Sequence, residues 1–185
     1  MDIYFVTKNK HKFINAQRVL SKYNITVHQL QEDKFEPKEW DIEKVAMHNA
    51  KEFANKINKP VIVDDTGIFF EAFQGLPGQL AKWVFEKIDY EGIFQLLKDE
   101  SRKATFKCAI AFSNSENEKL FNGELSGEIS KEIKNPEKDT LPYNKIFIPE
   151  GHNLTLAEMD ETELLPILHR TKAFEKLGAD VGETK

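Results

Sequence analysis

Apolar residues fall along the chain in short runs and in stretches of helical period. Residues 3–6 form an apolar run closed by Thr7-Lys8-Asn9, which predicts a buried strand. Phe13, Ala16, Val19 and Leu20 then recur at helical spacing within residues 12–22, so the chain opens strand–turn–helix. Residues 25–30 alternate and predict a second strand. Residues 32–40 are polar, contain Pro37 and read as a loop. Asp41 can cap a following helix whose buried face carries Val45, Ala46, Ala50, Phe53 and Ala54.

After Pro60, residues 61–63 predict a buried strand that stops at Asp64-Asp65-Thr66-Gly67, and residues 68–73 are apolar again. Gln74-Gly75-Leu76-Pro77-Gly78 is a turn signal. Helical patterns follow through Trp83, Val84 and Ile88, then Ile93, Leu96 and Leu97. Residues 104–112 and 119–121 read as strands joined by a polar turn, and residues 124–129 continue the sheet. Residues 135–140 form a charged loop, 143–148 a further strand, and 156–168 and 171–177 helices, while 178–185 are expected to fray. Strands alternating with helices early, then several strands together, predict a mixed α/β protein. No repeat or composition shift marks a boundary, so residues 1–185 read as one domain, with room for two lobes.

Composition narrows the function. The net charge is −5 with both signs interspersed, which is no footprint for duplex nucleic acid. A small anionic substrate stays compatible, because local lysines and a metal offset the global charge. The single cysteine, Cys108, rules out an internal disulfide, and its apolar flanks read as a core thiol rather than a nucleophile. The N-terminus lacks the pattern of a signal peptide, and no apolar run approaches the ~20 residues that span a bilayer, so the expected location is cytoplasmic.

Four constellations can carry chemistry. Thr7, Lys8, Asn9, Lys10 and Lys12 lie where a strand gives way to a helix, and unsatisfied N–H groups at a helix start attract anions. The other reading is a capped, solvated basic turn, although positive charge there opposes the helix dipole. Asp64 and Asp65 are adjacent carboxylates, which repel unless something positive lies beside them; hard divalent cations prefer such oxygens. One of them could also take a proton from water. The other reading is a surface turn, since Asp, Thr and Gly favour turns. Glu36 in the polar loop and His169-Arg170 near the C-terminus are unremarkable taken singly.

In their order, these signals resemble the inosine-triphosphatase (Ham1) family. The matching motifs are Thr7, Asn9 and Lys12 after the first strand, the acidic loop residue Glu36, and Asp64–Gly67 as Asp/Glu-Asp-Ser/Thr-Gly. They continue with Gly75–Gly78 as Gly-x-Pro-Gly, then Ser126-Gly127, Ala157-Glu158-Met159, and His169-Arg170. The resemblance implies an elongated α/β fold, a mixed sheet with two lobes flanking a central cleft, and a homodimer. It implies magnesium-dependent hydrolysis of non-standard purine nucleoside triphosphates to monophosphate and pyrophosphate. By the same resemblance Asp65 is general base and metal ligand, and Glu36 holds or positions the magnesium. Thr7, Lys8, Asn9 and Lys12 cradle the phosphates and Thr66 contacts them, while Tyr143, Asn144, His169 and Arg170 surround the base.

The match is incomplete. The family's Phe-Gly-Tyr/Trp-Asp in the base pocket is Leu141-Pro142-Tyr143-Asn144 here. Two lysines expected at the phosphates fall at Asn49 and Leu164, with Lys51 near the first but out of register, and the Ser before His-Arg is Leu168. Beside an active pyrophosphatase with altered base choice, a non-catalytic relative that binds a nucleotide or a protein partner is therefore the alternative.

Overall fold

The computed structural model describes residues 1–182. The elements in chain order are β1 (Asp2–Val6), α1 (Lys10–Leu20), β2 (Thr26–Leu30), α2 (Ile42–Ile57), β3 (Val61–Phe70), β4 (Pro77–Gly78), α3 (Ala81–Leu96), β5 (Lys103–Ser113), β6 (Glu118–Ile129), β7 (Phe147–Pro149), α4 (Glu161–Ile167) and α5 (His169–Val181). Among the described residues the strands form one seven-stranded sheet in the order β2-β1-β3-β5-β6-β7, with β4 paired to β3. β1 runs parallel to β2 and β3, whereas β3–β4 and β6–β7 are antiparallel. This is the mixed α/β architecture that the alternation of patterns predicts.

The chain divides into two compact units: Met1–Thr66 with Cys108–Gly123 and His169–Lys185, and Gly67–Lys107 with Glu124–Leu168. In the first, Ile3, Phe5, Val19, Leu20, Ile62, Ile110, Phe174 and Leu177 form the core. Cys108 lies in it, and burial pushes its thiol up to about 11, the inert thiol expected. In the second, the core gathers Ile68, Phe70, Ile93, Leu97, Phe106, Ile129, Phe147 and Met159.

Two capping residues hold their helices, of which Asp41 is the one anticipated from sequence. Asn9 starts α1 by accepting the Lys12 amide through its side chain, and Asp41 starts α2 by accepting the Lys44 amide at 2.7 Å. At the other end of α2, Asn58 adopts the left-handed conformation at φ 51°.

Several boundaries differ from expectation. β3 does not stop at residue 63; it runs unbroken through Asp64-Asp65-Thr66-Gly67 to Phe70, so these residues are not a turn. Gly67 allows this, because a Cβ there would lie 2.5 Å from the Gly78 carbonyl carbon, and the β3–β4 ladder pairs Ile68 with Gly78. Residues 119–121 and 124–129 are one strand, β6. Pro142–Lys145 is a 3-10 turn rather than strand, with Pro142 in its first turn, where its fixed φ suits a helix start; only Phe147–Pro149 extends. The helix expected over 156–168 is confined to Glu161–Ile167 because Asp160 caps it, accepting the Thr162 and Glu163 amides at 2.9 and 3.0 Å. α5 begins at His169 and continues to Val181, so residues 178–181 do not fray, and residues 183–185 of that expectation lie outside the described residues.

Candidate active site

The polar centre of the first unit forms where β1 hands over to α1. Thr7 is buried and donates its amide to the Leu30 carbonyl at 3.0 Å, which ties the end of β1 to β2. Its Oγ1 accepts the Asn9 amide at 3.1 Å, and Asn9 Oδ1 accepts the Lys12 amide at 3.0 Å. These bonds fix the first turn of α1, which carries no acidic residue. Lys12 reaches from this turn to Asp64, with Nζ 2.8 Å from Oδ2. Lys8 turns to an exposed pair with Asp33 instead.

Asp64 is the hub. It is 1% exposed, and its Oδ2 also accepts Arg170 Nε at 3.1 Å. Burial alone would raise its pKa, but Lys12, Arg170 and Lys34 together hold the carboxyl well below its usual range. It therefore stays charged. Its Oδ1 has no hydrogen-bond partner among the described residues.

Asp65 behaves oppositely. Burial pushes it up to about 6, Asp64 adds to the rise, and Lys34, Lys12 and the Thr66 amide only partly offset it. The Thr66 amide donates to Asp65 Oδ1 at 3.0 Å. The parallel register of β1 with β3 pairs Tyr4 with Val61 and Phe5 with Ile62, so both carboxylates lie just past the C-terminal end of that ladder. Functional groups in open α/β sheets collect at such ends.

Arg170 and His169 open α5, and Gly123 on β6 lets that helix approach: a Cβ there would meet the His169 carbonyl oxygen at 1.9 Å. His169 is buried, and burial, Arg170 and Lys12 lower its pKa well below the ordinary value, so the ring is neutral. Asn15 on α1 donates to Thr171 Oγ1 at 3.1 Å and adds a second tie between α1 and α5.

Glu36 stands in the loop before α2, where Lys34 Nζ lies 2.8 Å from its Oε1. The same ammonium donates to the Asp64 carbonyl oxygen at 3.0 Å. Sequence reasoning missed Lys34; its only signal is its place two residues before Glu36. Burial lowers the Lys34 pKa, but Asp64, Asp65 and Glu36 outweigh it, and the net shift is upward. Asn49, where the resemblance expects a lysine, is buried and accepts the Phe35 amide at 2.8 Å. Lys51 pairs with Glu118 at 2.6 Å.

The first unit thus brings together Thr7, Asn9, Lys12, Asp64, Asp65, Thr66 and Arg170, and Lys34 links Glu36 to the Asp64 backbone carbonyl. Tyr143 and Asn144 belong to the second unit. The Tyr143 ring is buried in that unit's core and its hydroxyl donates to the Ala81 carbonyl at 3.1 Å. Asn144 Nδ2 donates to Thr140 Oγ1 at 2.8 Å, and Leu141 is 36% exposed. Among the described residues no helix is long and apolar enough to cross a membrane.

The sequence model described as Ham1 family matches residues 3–180. A dITP/XTP pyrophosphatase of Methanopyrus kandleri is 37% identical over 178 residues, 95% of this chain and 94% of the relative. An inosine triphosphate pyrophosphatase of Yarrowia lipolytica is 35% identical over 99% of this chain and 97% of its own length. A Ham1 protein structure from Coxiella burnetii superposes with a TM-score of 0.83 at 24% identity, covering 98% of each chain. A match over nearly the whole chain, with the fold to go with it, places this protein in the Ham1 family.

Proposed function

We propose that this protein hydrolyses non-canonical purine nucleoside triphosphates to the monophosphate and pyrophosphate, with Asp65 as the general base. The observation that carries the reading is a pair of adjacent carboxylates held in opposite states. Asp64 is locked as an anion by Lys12 and Arg170, while burial holds Asp65 at about 6. Divergent environments at neighbouring acids are how a fold assigns an electrostatic anchor and a proton acceptor. A base near 6 is ionised at neutral pH yet basic enough to take a proton from water.

In this scheme a water oxygen attacks the α-phosphorus as Asp65 accepts its proton. The bond from the α-phosphorus to the α,β-bridging oxygen breaks, and pyrophosphate leaves. The first turn of α1, with Thr7, Asn9 and the positive ends of Lys8 and Lys12, receives the phosphates, and Thr66 adds a hydroxyl. Asp64 keeps Lys12 and Arg170 in place. His169, neutral and fixed at the start of α5, is assigned to the base, with Arg170 beside it.

A divalent cation fits the donors. Asp65, Glu36 and the unpartnered Asp64 Oδ1 are hard oxygen ligands. Among the described residues no group of three or more His, Cys, Asp or Glu side chains stands ready to hold an ion. Magnesium is commonly held by one or two carboxylates together with substrate phosphates, so Asp65 and Glu36 are the residues that would hold it. When bound, it would neutralise charge on the phosphates. The family resemblance adds a homodimer, the sequence pattern favours a cytoplasmic location, and the net charge of −5 supports a nucleotide rather than a nucleic-acid polymer as partner.

Asp65→Asn is the direct test of the base. It should abolish turnover while the protein remains folded, and turnover at the parental rate would remove Asp65 from this role. Asn49 and Leu164, where the resemblance expects phosphate-binding lysines, favour the second reading, a non-catalytic nucleotide binder. Parental protein that binds triphosphate without turning it over would select that reading.

A further inference from the structure

Lys34 is a half-buried cation in the loop before α2, and the reaction scheme above gives it no task. Its side chain is 15% exposed. Its ammonium is already committed, 2.8 Å from Glu36 Oε1 and 3.0 Å from the Asp64 carbonyl oxygen. The loop that presents it is fixed. Asn49, 2% exposed on α2, accepts the Phe35 amide and donates to the Phe35 and Val45 carbonyls, each at 2.8 Å. Lys34 and Glu36 therefore flank a residue clamped to α2 from both its amide and its carbonyl.

Lys34 occupies Glu36 Oε1, one of the two oxygens through which that carboxylate would meet a cation. A magnesium ligand approaches to roughly 2.0–2.1 Å and the ion demands near-octahedral geometry. An ammonium retained 2.8 Å from Glu36 Oε1 would stand beside a doubly charged ion, and the like charges repel even with Glu36 54% exposed to screening water. The local charges already balance without metal: Lys12, Lys34 and Arg170 face Asp64, Asp65 and Glu36. A free divalent ion would leave the centre with excess positive charge, and a triphosphate would cancel it.

We propose that Lys34 is a resident counter-ion that competes with the divalent cation for Glu36, so that the ion binds weakly alone and well only with the triphosphate. The inference rests on the assignment of Glu36 and Asp65 as the metal-holding carboxylates. Entry of the ion with its nucleotide frees the Lys34 ammonium from Glu36, and the anionic phosphates take up the charge it releases. Lys34 is a positioning residue in this scheme, and the device couples metal and substrate occupancy.

The test is calorimetric titration of magnesium chloride into the full-length protein without nucleotide, which needs no turnover. Lys34→Met and Lys34→Gln should each bind magnesium about tenfold more tightly than the parent, the scale of a typical coupling between two ligands. Glutamine keeps a donor for the Asp64 carbonyl, so it preserves the loop if methionine does not. Lys34→Arg should retain the weak parental affinity. Lys51→Met changes net charge equally but pairs with Glu118, and should also match the parent. Folded Lys34→Met and Lys34→Gln proteins that bind magnesium no more tightly than the parent would overturn the proposal, as would an equal gain in Lys51→Met. Absence of hydrolysis by the parent would instead count against the proposed reaction and leave the titration result standing.

Discussion

Replacing Asp65 with Asn should stabilise the metal-free protein at neutral pH, although it removes the proposed base. The carboxyl is ordinarily half-ionised at 3.8 and burial pushes it to about 6. Below 3.8 the group is protonated in folded and unfolded chains alike and contributes no pH-dependent cost. As pH rises through about 6 the folded chain must ionise a buried acid that the unfolded chain ionises more easily. The penalty is then complete, and the difference corresponds to up to about 3 kcal/mol. Asn mimics the protonated form and its Oδ1 can still accept the Thr66 amide, so the variant avoids this cost. Urea denaturation in a chelating buffer measures it. The variant should gain up to about 3 kcal/mol at pH 7.5, and under about 1 kcal/mol at pH 4. A variant less stable than the parent at pH 7.5, or a difference unchanged between the two pH values, would refute the reasoning. Destabilisation held at a functional group is an expected cost of a working site.

Asp64→Asn should have the opposite effect, because it leaves Arg170 and Lys12 buried without their anion. Breaking such a network costs about 3–5 kcal/mol at pH 7. Since the folded carboxyl is held below 3.8, its stabilising effect is full above that value and is lost as pH falls through its folded pKa, so the deficit in urea midpoint should shrink toward pH 2. Leu141→Phe combined with Asn144→Asp should sharpen preference for inosine or xanthosine triphosphate in a competition assay. An unchanged substrate profile would place base selection elsewhere.

Much of the site was legible because it depends on local rules. A strand followed by Thr-x-Asn and a helix pattern implies a cap with exposed amides, and Asn9 fills that position. Two adjacent aspartates demand nearby cations, and Lys12, Arg170 and Lys34 supply them. The partners themselves were not legible: Arg170 meets Asp64 across 106 positions, a pairing that only the sheet and the docking of α5 against Gly123 create. The continuity of β3 through Asp64–Gly67 was hidden because turn-favouring residues sit there for another reason, the close approach of Gly78 to Gly67. The strand expected over 143–148 begins only at Phe147, because Tyr143 is buried from a 3-10 turn and Ile146 from the residue that ends it, where burial carries no period-two signature. Lys34 was invisible as a site residue because a lysine in a polar loop looks solvated until its ion partners are known.

The most direct measurement is phosphate release from a panel of purine and pyrimidine triphosphates with magnesium, with and without added inorganic pyrophosphatase. The account predicts a signal for inosine, deoxyinosine or xanthosine triphosphate that appears only when the pyrophosphatase is added, with monophosphate as the other product. Phosphate released without the added enzyme, or no product from any triphosphate with folded protein, would contradict it.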